Sequence, residues 1–373
     1  MTELDRAAIG RGASASFDAW RLVRSMLDNM TKMIQEDAEN ETELLEGIRV
    51  LARATALCSE LSIDVDLARP HFFPMTTPLR YIGGPNPDGA YHLGMIDGQR
   101  RYFVRGHRGT VCYLGFQVLA GRGLVPRRMA AYVSDRQLLT RADGTFEILL
   151  ARDEPKPERL GHATWVELPD DASAIVVRQY IADLATEELA SFTIESLDPP
   201  RLPSLPTDEM IALQLTTMAW TIAKLTTLHR TIMPQLVRDA NRLVTAEAAL
   251  LGSENTTPDN LYMLGTFRLG PEEALVIDVA PPQTRYWSLT IENIWHECFD
   301  VRQRRISITN AAAARRSDDR VRFVIAARDP GVPNWLDTGG RHRGFMTFRW
   351  LDNPSPPEVH TRVLPIADIA KLP

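Results

Sequence analysis

Apolar residues early in the chain recur three or four positions apart. Phe17, Trp20, Val23, Met26, Leu27, Met30, Met33 and Ile34 share one face of a helix. A second stripe, Leu44, Leu45, Ile48, Leu51, Ala52 and Ala56, follows Asn40 and Thr42, either of which can cap a helix start. Methionine fills irregular gaps, so the Met-rich face reads as core packing rather than as a ligand groove. The period changes near Pro70. Short apolar runs then alternate with the turn signals Pro87-Asp88-Gly89, Asp97-Gly98 and Asp143-Gly144. This spacing predicts strands over 101–105, 111–119, 129–133, 145–151 and 174–181, the pattern of an antiparallel sandwich. Pro199, Pro200, Pro203 and Pro206 mark a boundary. A helix is expected from Thr207, with Asp208 and Glu209 in its first turn and an end or kink at Pro234. A second helix is expected to reach Leu251, with Gly252 as its stop.

The β pattern occurs twice. Tyr91-His92-Leu93-Gly94 returns as Tyr262-Met263-Leu264-Gly265, and the segment Arg141 to Ala151 returns as Arg316 to Ala326. In the second copy Trp287, Leu289 and Ile291 alternate with Tyr286, Ser288, Thr290 and Glu292, which predicts a half-buried strand. Its counterpart is Cys112 to Val118, with Tyr113 matching Tyr286. Trp165 parallels Trp335, Arg178 parallels Arg349, and Ser134-Asp135 parallels Thr309-Asn310. The expected fold is therefore mainly β with added helices (α+β), built as two duplicated antiparallel β-sandwich, jelly-roll-like modules. Its units are a helical segment 1–70, a first module 71–198, a Pro-rich linker and helical insert 199–258, and a second module 259–373.

Arg285-Tyr286-Trp287-Ser288, Arg305 to Asn310 and Pro333 to Gly339 together resemble the C-terminal signature of a bacterial family, domain of unknown function 1214. Tyr102 to Gly109 with Tyr113 resembles the N-terminal portion of its longer actinobacterial members, so the resemblance spans roughly 40–365. It implies a β-sandwich pair with added helices. It carries over no catalytic residue.

Composition narrows the function classes. A net charge of −6 gives no reason to expect nucleic acid, and the local clusters Arg302 to Arg305 and Arg341 to Arg343 read as solvated faces. Cys58, Cys112 and Cys298 lack metal-ligand spacing and read as reduced thiols of a cytoplasmic protein. The start of the chain lacks the basic and apolar runs of a signal peptide, and no apolar stretch reaches membrane-spanning length. There is no P-loop, no G-x-S-x-G elbow, and no third glycine after Gly121 and Gly123 for a dinucleotide site. No cofactor and no metal site are expected.

Three constellations bear chemistry. Asn334, Trp335, Asp337, Arg341 and His342 could hold a polar ring, the indole supplying a stacking face and the polar groups its orientation. The same loop also reads as a packed sandwich corner, since Trp165 recurs without Asp337 or the glycines. Trp295-His296-Glu297-Cys298 offers a histidine and a carboxylate for proton exchange, although neighbours on a strand point to opposite faces. Arg349 and Arg178 could each hold an anionic ligand or brace their own module. The candidate catalytic residues are thus His296, Glu297, His342 and Asp337, and the candidate ligand residues are Asn334, Trp335, Arg341, Arg349 and Tyr286. The expectation is a small-molecule or glycan binding protein, its ligand between the modules near Trp335, His342 and Arg349. Two alternatives stand beside it: a cofactor-free hydrolase, lyase or isomerase, and a structural homo-oligomer.

Overall fold

The computed structural model describes residues 14–373 except 64, 122–124, 126, 199–204, 231–238, 247–251, 253–254 and 354. Pro199, Pro200, Pro203, Gly123, Pro234 and Leu251 lie outside the described residues.

Among the described residues each module contributes nine strands. In the first they are β1 (Phe72–Pro74), β2 (Gly89–Met95), β3 (Tyr102–His107), β4 (Tyr113–Ala120), β5 (Arg128–Ser134), β6 (Thr145–Ala151), β7 (Thr164–Glu167), β8 (Ala172–Tyr180) and β9 (Ser191–Ser196). In the second they are β10 (Arg242–Thr245), β11 (Asn260–Arg268), β12 (Glu273–Val279), β13 (Trp287–Glu292), β14 (Ser307–Thr309), β15 (Val321–Ala326), β16 (Trp335–Asp337), β17 (Arg343–Leu351) and β18 (Val359–Pro365). The first module stacks sheet β1-β2-β8-β4-β5 on sheet β7-β6-β3-β9, and the second stacks β10-β11-β17-β13-β14 on β16-β15-β12-β18. Adding nine to each strand number of the first module reproduces the second, including the parallel pairs β6·β7 and β15·β16.

The repeat holds at the level of single residues. Arg178 lies opposite Tyr91 and Gly115, and Arg349 lies opposite Tyr262 and Ser288. The Trp165 indole donates to Ala151 O at 3.3 Å, and that of Trp335 donates to Ala326 O at 3.0 Å. The Asp143-Gly144 turn recurs as Asp318-Asp319, where Asp319 takes a left-handed φ of 63° in place of glycine. Aspartate tolerates that region better than most residues.

Each sandwich has its own apolar core, around Leu114, Phe116 and Ile148 in the first module and Trp287, Leu289 and Phe323 in the second. The expectation of a half-buried β13 fails, because all six of its residues are buried. The modules pack through the outer faces of their five-stranded sheets, so the polar face of β13 is covered as well. Tyr180 stacks on Tyr113 at 4.8 Å and on Tyr286 at 5.1 Å. Tyr132 donates to Asp259 at 2.6 Å, and Arg285 bridges Asp135 at 2.8 Å and Asp352 at 2.7 Å.

Two long helices, α1 (Ser14–Asp37) and α2 (Glu41–Ile63), precede the sheets. The helix α4 (Asp208–Thr226), which falls between the modules in sequence, packs on α1 and α2. Short turns α3 (Pro157–Leu160) and α5 (Ile366–Ile369) complete the described helices. None is long and apolar enough to cross a membrane. Asn40 caps α2 by accepting from Glu43 N at 3.0 Å, and Thr207 caps α4 by accepting from Met210 N at 3.2 Å. The helix expected after Pro234 is replaced at 242–245 by β10, which extends the sheet as β1 does in the first copy.

The buried stripe of α2 also differs from expectation. Leu45 and Ile48 are exposed, while Glu43 and Glu46 are buried. Arginines from the second module explain the inversion. Arg343 grips Glu43 at 2.6 and 2.8 Å, Arg341 reaches Glu46 through Nε at 3.0 Å, and Arg49 reaches Glu297 at 2.7 Å. Residues 39, 43, 46, 49 and 53 form a helical stripe of charge whose partners lie in the second module. The Trp295 indole donates to Glu43 O at 2.8 Å and packs on the site of Gly47, where a Cβ would crowd the ring at 3.0 Å.

Breaking one of these buried pairs strands the other charge. Arg343→Met should destabilise the fold by about 3 kcal/mol in urea unfolding, and Glu43→Gln added to it should recover part of the loss. Burial pushes the Glu43 carboxyl up, but the Arg343 hydrogen bonds, the Glu39 N–H and the charges of Arg343 and His342 together outweigh it and hold the group below its usual value. Arg268 and His342 hold Glu39 near a pKa of about 2. Both are depressed in the folded state. Their stabilisation is therefore present above the unfolded value of 4.5 and lost as pH falls from there toward about 2, which a series of melts over that window checks.

Candidate functional site

The covered polar face of the second module's five-stranded sheet is the candidate site. Along the strand Tyr286, Ser288, Thr290 and Glu292 point to the same side, and each is fully buried. From β17, Arg349 and Thr347 join them; from β14, Ser307 does. Burying so many polar atoms is costly unless each finds a partner. Tyr286 Oη donates to Ser288 at 2.7 Å and accepts from the Asn86 amide, and Thr290 and Ser307 hydroxyls meet at 3.1 Å.

Arg349 is 2% exposed. It donates to Thr290 Oγ1 at 3.3 Å and to Gly84 O at 3.0 Å, both neutral oxygens. No carboxylate lies within ion-pair distance of it among the described residues. The contrast with Arg341 and Arg343 is direct, since both of those are matched to glutamates.

Beyond β13 the chain turns sharply. Asn293 Oδ1 accepts from Trp295 N at 3.0 Å and from Glu297 N at 3.1 Å, and His296 takes a left-handed φ of 55°. This turn brings His296 back onto Glu292, four residues earlier, with Nδ1 at 3.0 Å from Oε2. The ring stacks on Phe345 at 3.8 Å. Its Nε2 is buried without a hydrogen-bond partner. A hydrogen bond donated to Glu292 puts a proton on Nδ1, and in that neutral tautomer Nε2 is an acceptor.

The segment 82–88 straps this face. Gly84 N donates to His296 O at 3.0 Å, Cys298 Sγ to Pro85 O at 3.3 Å, and Ser307 Oγ to Asp88. Gly83 and Gly84 both have positive φ, 85° and 69°, so the strap begins with two residues in the left-handed region. Burial raises the Asp88 carboxyl to about 6, against the Ser307 hydrogen bond and the Arg349 charge. Burial likewise pushes the Cys298 thiol well up, which leaves it un-ionised and unreactive.

Of the residues singled out from sequence, the structure brings His296, Tyr286 and Arg349 to this face. It does not bring the others. Glu297 points to Arg49 and Arg53, and Asp337 accepts from Arg304 at 2.6 Å and closes its turn through Gly339 N at 2.7 Å. Asn334 braces Ala314 and Arg322 through backbone bonds of 2.7–3.0 Å. Trp335 packs in a small apolar cluster with Ile369 and Val276. Arg341 and His342 face the acids of α2, with His342 at 3.1 Å from Glu39. Trp335, His342 and Arg349 therefore share no pocket; Asn334, Trp335, Asp337 and Arg341 are each spent on a neighbouring backbone or charge, as in a packed corner, while the buried Thr338 hydroxyl has no hydrogen-bond partner among the described residues. A cleft of about 100 Å³ lies beside it, lined by Thr338, Gly340, Arg341 and His342 with Leu269 and Pro271. Glu292, Asn86 and Asp88 belong to the junction and were not singled out for it. The signal for Glu292 was its polar alternation with Ser288 and Thr290; Asp88 was marked only as a turn residue, and nothing local marked Asn86.

Residues 273–355 match the family described as Protein of unknown function (DUF1214), a stretch that carries Glu292, His296 and Arg349. Comparison with curated proteins gives no match. The chain is similar to an uncharacterised protein from Burkholderia cenocepacia at 29% identity, over 96% of this chain and 100% of that one, with a TM-score of 0.89. It shares its fold with the VPA0106 protein from Vibrio parahaemolyticus at 13% identity, over 84% of this chain and 96% of that one, with a TM-score of 0.51.

Asp88 gives the site a pH signature. Its folded pKa is raised, so its contribution is fully present below the unfolded value of 3.8 and lost as pH rises through about 6. Asp88→Asn keeps an acceptor for Ser307. The variant should melt higher than the parent at neutral pH, and the difference should shrink as pH is lowered through about 6. A difference that does not change with pH would contradict the assignment.

Proposed function

We propose that this chain, whose C-terminal region belongs to the DUF1214 family, binds a small anionic molecule at the junction of its two modules. The observation that carries the reading is Arg349, a buried guanidinium with only neutral oxygens as hydrogen-bond partners. Glu292 and Asp88 act on this charge only from beyond ion-pair distance, and a buried charge without a direct ion pair is expensive. A ligand carboxylate or sulfate would supply that direct pair and take bidentate bonds from the guanidinium. The unpartnered Nε2 of His296 supports the same place, since it offers a second polar anchor a short way along the face. Entry requires the 82–88 strap to move, and its paired left-handed glycines suit a hinge. A reducing cytoplasmic location belongs to this reading, with Cys58, Cys112 and Cys298 all unpaired.

A second reading is catalysis. His296 held by Glu292 is a carboxylate-oriented imidazole, the arrangement that a general base uses, and its reactive nitrogen has no competing partner. In that case the bound anion is a substrate, and Glu292→Gln should cost activity far more than binding.

The full chain, incubated with a cell extract, repurified and sprayed under native conditions, should retain a small anion by mass. Arg349→Gln should lose it while keeping the parent's circular dichroism. Retention of a neutral or cationic molecule, or equal retention of the anion by a folded Arg349→Gln, would overturn the proposal.

A further inference from the structure

Resting on the junction reading above, we infer that the Gly84 carbonyl is a placeholder. The site takes a molecule with a carboxylate at one end and a hydroxyl at the other, and this molecule binds by displacing the strap.

The first anchor is Arg349, whose Nη2 now donates to Gly84 O at 3.0 Å. A carboxylate oxygen in that position would bring the charge that the carbonyl lacks. The second anchor is His296. With Nδ1 donating to Glu292, Nε2 of the neutral tautomer presents a lone pair, which a ligand hydroxyl can satisfy and a second carboxylate cannot.

The spacing follows from the strand. Arg349 Nη1 sits on Thr290, and Glu292 is two residues further along the same face, about 7 Å away. The same glycine bridges both anchors. Its carbonyl is on Arg349, its N–H is on His296 O, and a Cβ built on it would lie 3.8 Å from His296 Nδ1. Gly84 thus lies against both anchor residues, its built Cβ also 3.7 Å from Glu292 Oε2, and a ligand that takes its place on Arg349 must lift it out. The face around Arg349 carries the hydroxyls of Tyr91, Tyr262 and Tyr286, close enough to interact with its charge, and a flat ligand body would lie against those rings.

Three rigid probes separate the parts of this inference: 4-hydroxybenzoate, which carries both groups at about the required span, benzoate and phenol. Calorimetric titration into the full chain should rank 4-hydroxybenzoate tightest, about tenfold above benzoate for the added hydrogen bond, with phenol weakest. His296→Gln should remove the preference for 4-hydroxybenzoate over benzoate and leave benzoate binding in place. Hydrogen exchange at the Gly84 amide should speed up when 4-hydroxybenzoate saturates the parent. Equal affinity for benzoate and 4-hydroxybenzoate would overturn the hydroxyl seat while the anion site stands. Unchanged or slower Gly84 exchange at saturation would overturn displacement of the strap. No saturable binding of any probe would overturn the ligand class, and the anion-retention experiment then decides the junction reading on its own.

Discussion

The structure depends on one constraint: two five-stranded sheets meet through faces that are polar. In an ordinary antiparallel sandwich that face would lie in water. Here each residue of the Tyr286, Ser288, Thr290 and Glu292 stripe is enclosed, and the Tyr113–Tyr180–Tyr286 stack closes the contact between modules. Once the face is enclosed, every hydroxyl, amide and charge on it needs a partner. The strap and the facing module supply nearly all of them. Among the groups left over at the junction are the Arg349 charge, which has only neutral hydrogen-bond partners, and His296 Nε2, together with Asn260 Oδ1 and Arg285 Nη2.

Duplication makes this junction pseudosymmetric, and divergence makes it specific. Tyr113 and Tyr286, Tyr91 and Tyr262, and Arg178 and Arg349 are equivalent pairs by strand register. The sequence of the first copy has no counterpart of the Glu292 and His296 side chains. At the place of Glu292, two residues beyond the Thr290 equivalent Gln117, it has the apolar Leu119. The chemistry therefore gathers in the second module, within the stretch that matches the family of unknown function. The first module serves it as a cover, through Tyr180 and the carbonyl of Ala182 that accepts from Thr309 at 2.6 Å.

The helical layer is fixed by a different kind of contact. Its second helix docks on the second module through carboxylates matched to arginines, with Trp295 inserted beside Gly47. Trp295 directly precedes His296 and packs edge-on to His229 at 4.9 Å, so the helices also support the turn that aims the histidine. His229 is itself held by Asp37 at 2.6 Å, which ties the end of the first helix to the same corner.

The sequence by itself determined the duplication. Period-two alternation and repeated turn residues are local signals, and they placed β4, β6, β8 and β13, the tryptophan pair and the arginine pair in register before any contact was known. It also marked His296, Arg349 and Tyr286. What it could not determine was which of two chemically similar faces would be enclosed. The residues Leu45 and Ile48 read as core and are exposed, while Glu43 and Glu46, outside the predicted apolar stripe, are buried, because arginines some 300 positions away neutralise them. For the same reason Glu297, the neighbour of His296, turned out to be bound to Arg49, and Glu292, four residues back, became the histidine's partner. Burial and pairing are properties of the whole assembled chain. Alternation tells which side chains share a face, and only the tertiary structure decides what that face meets.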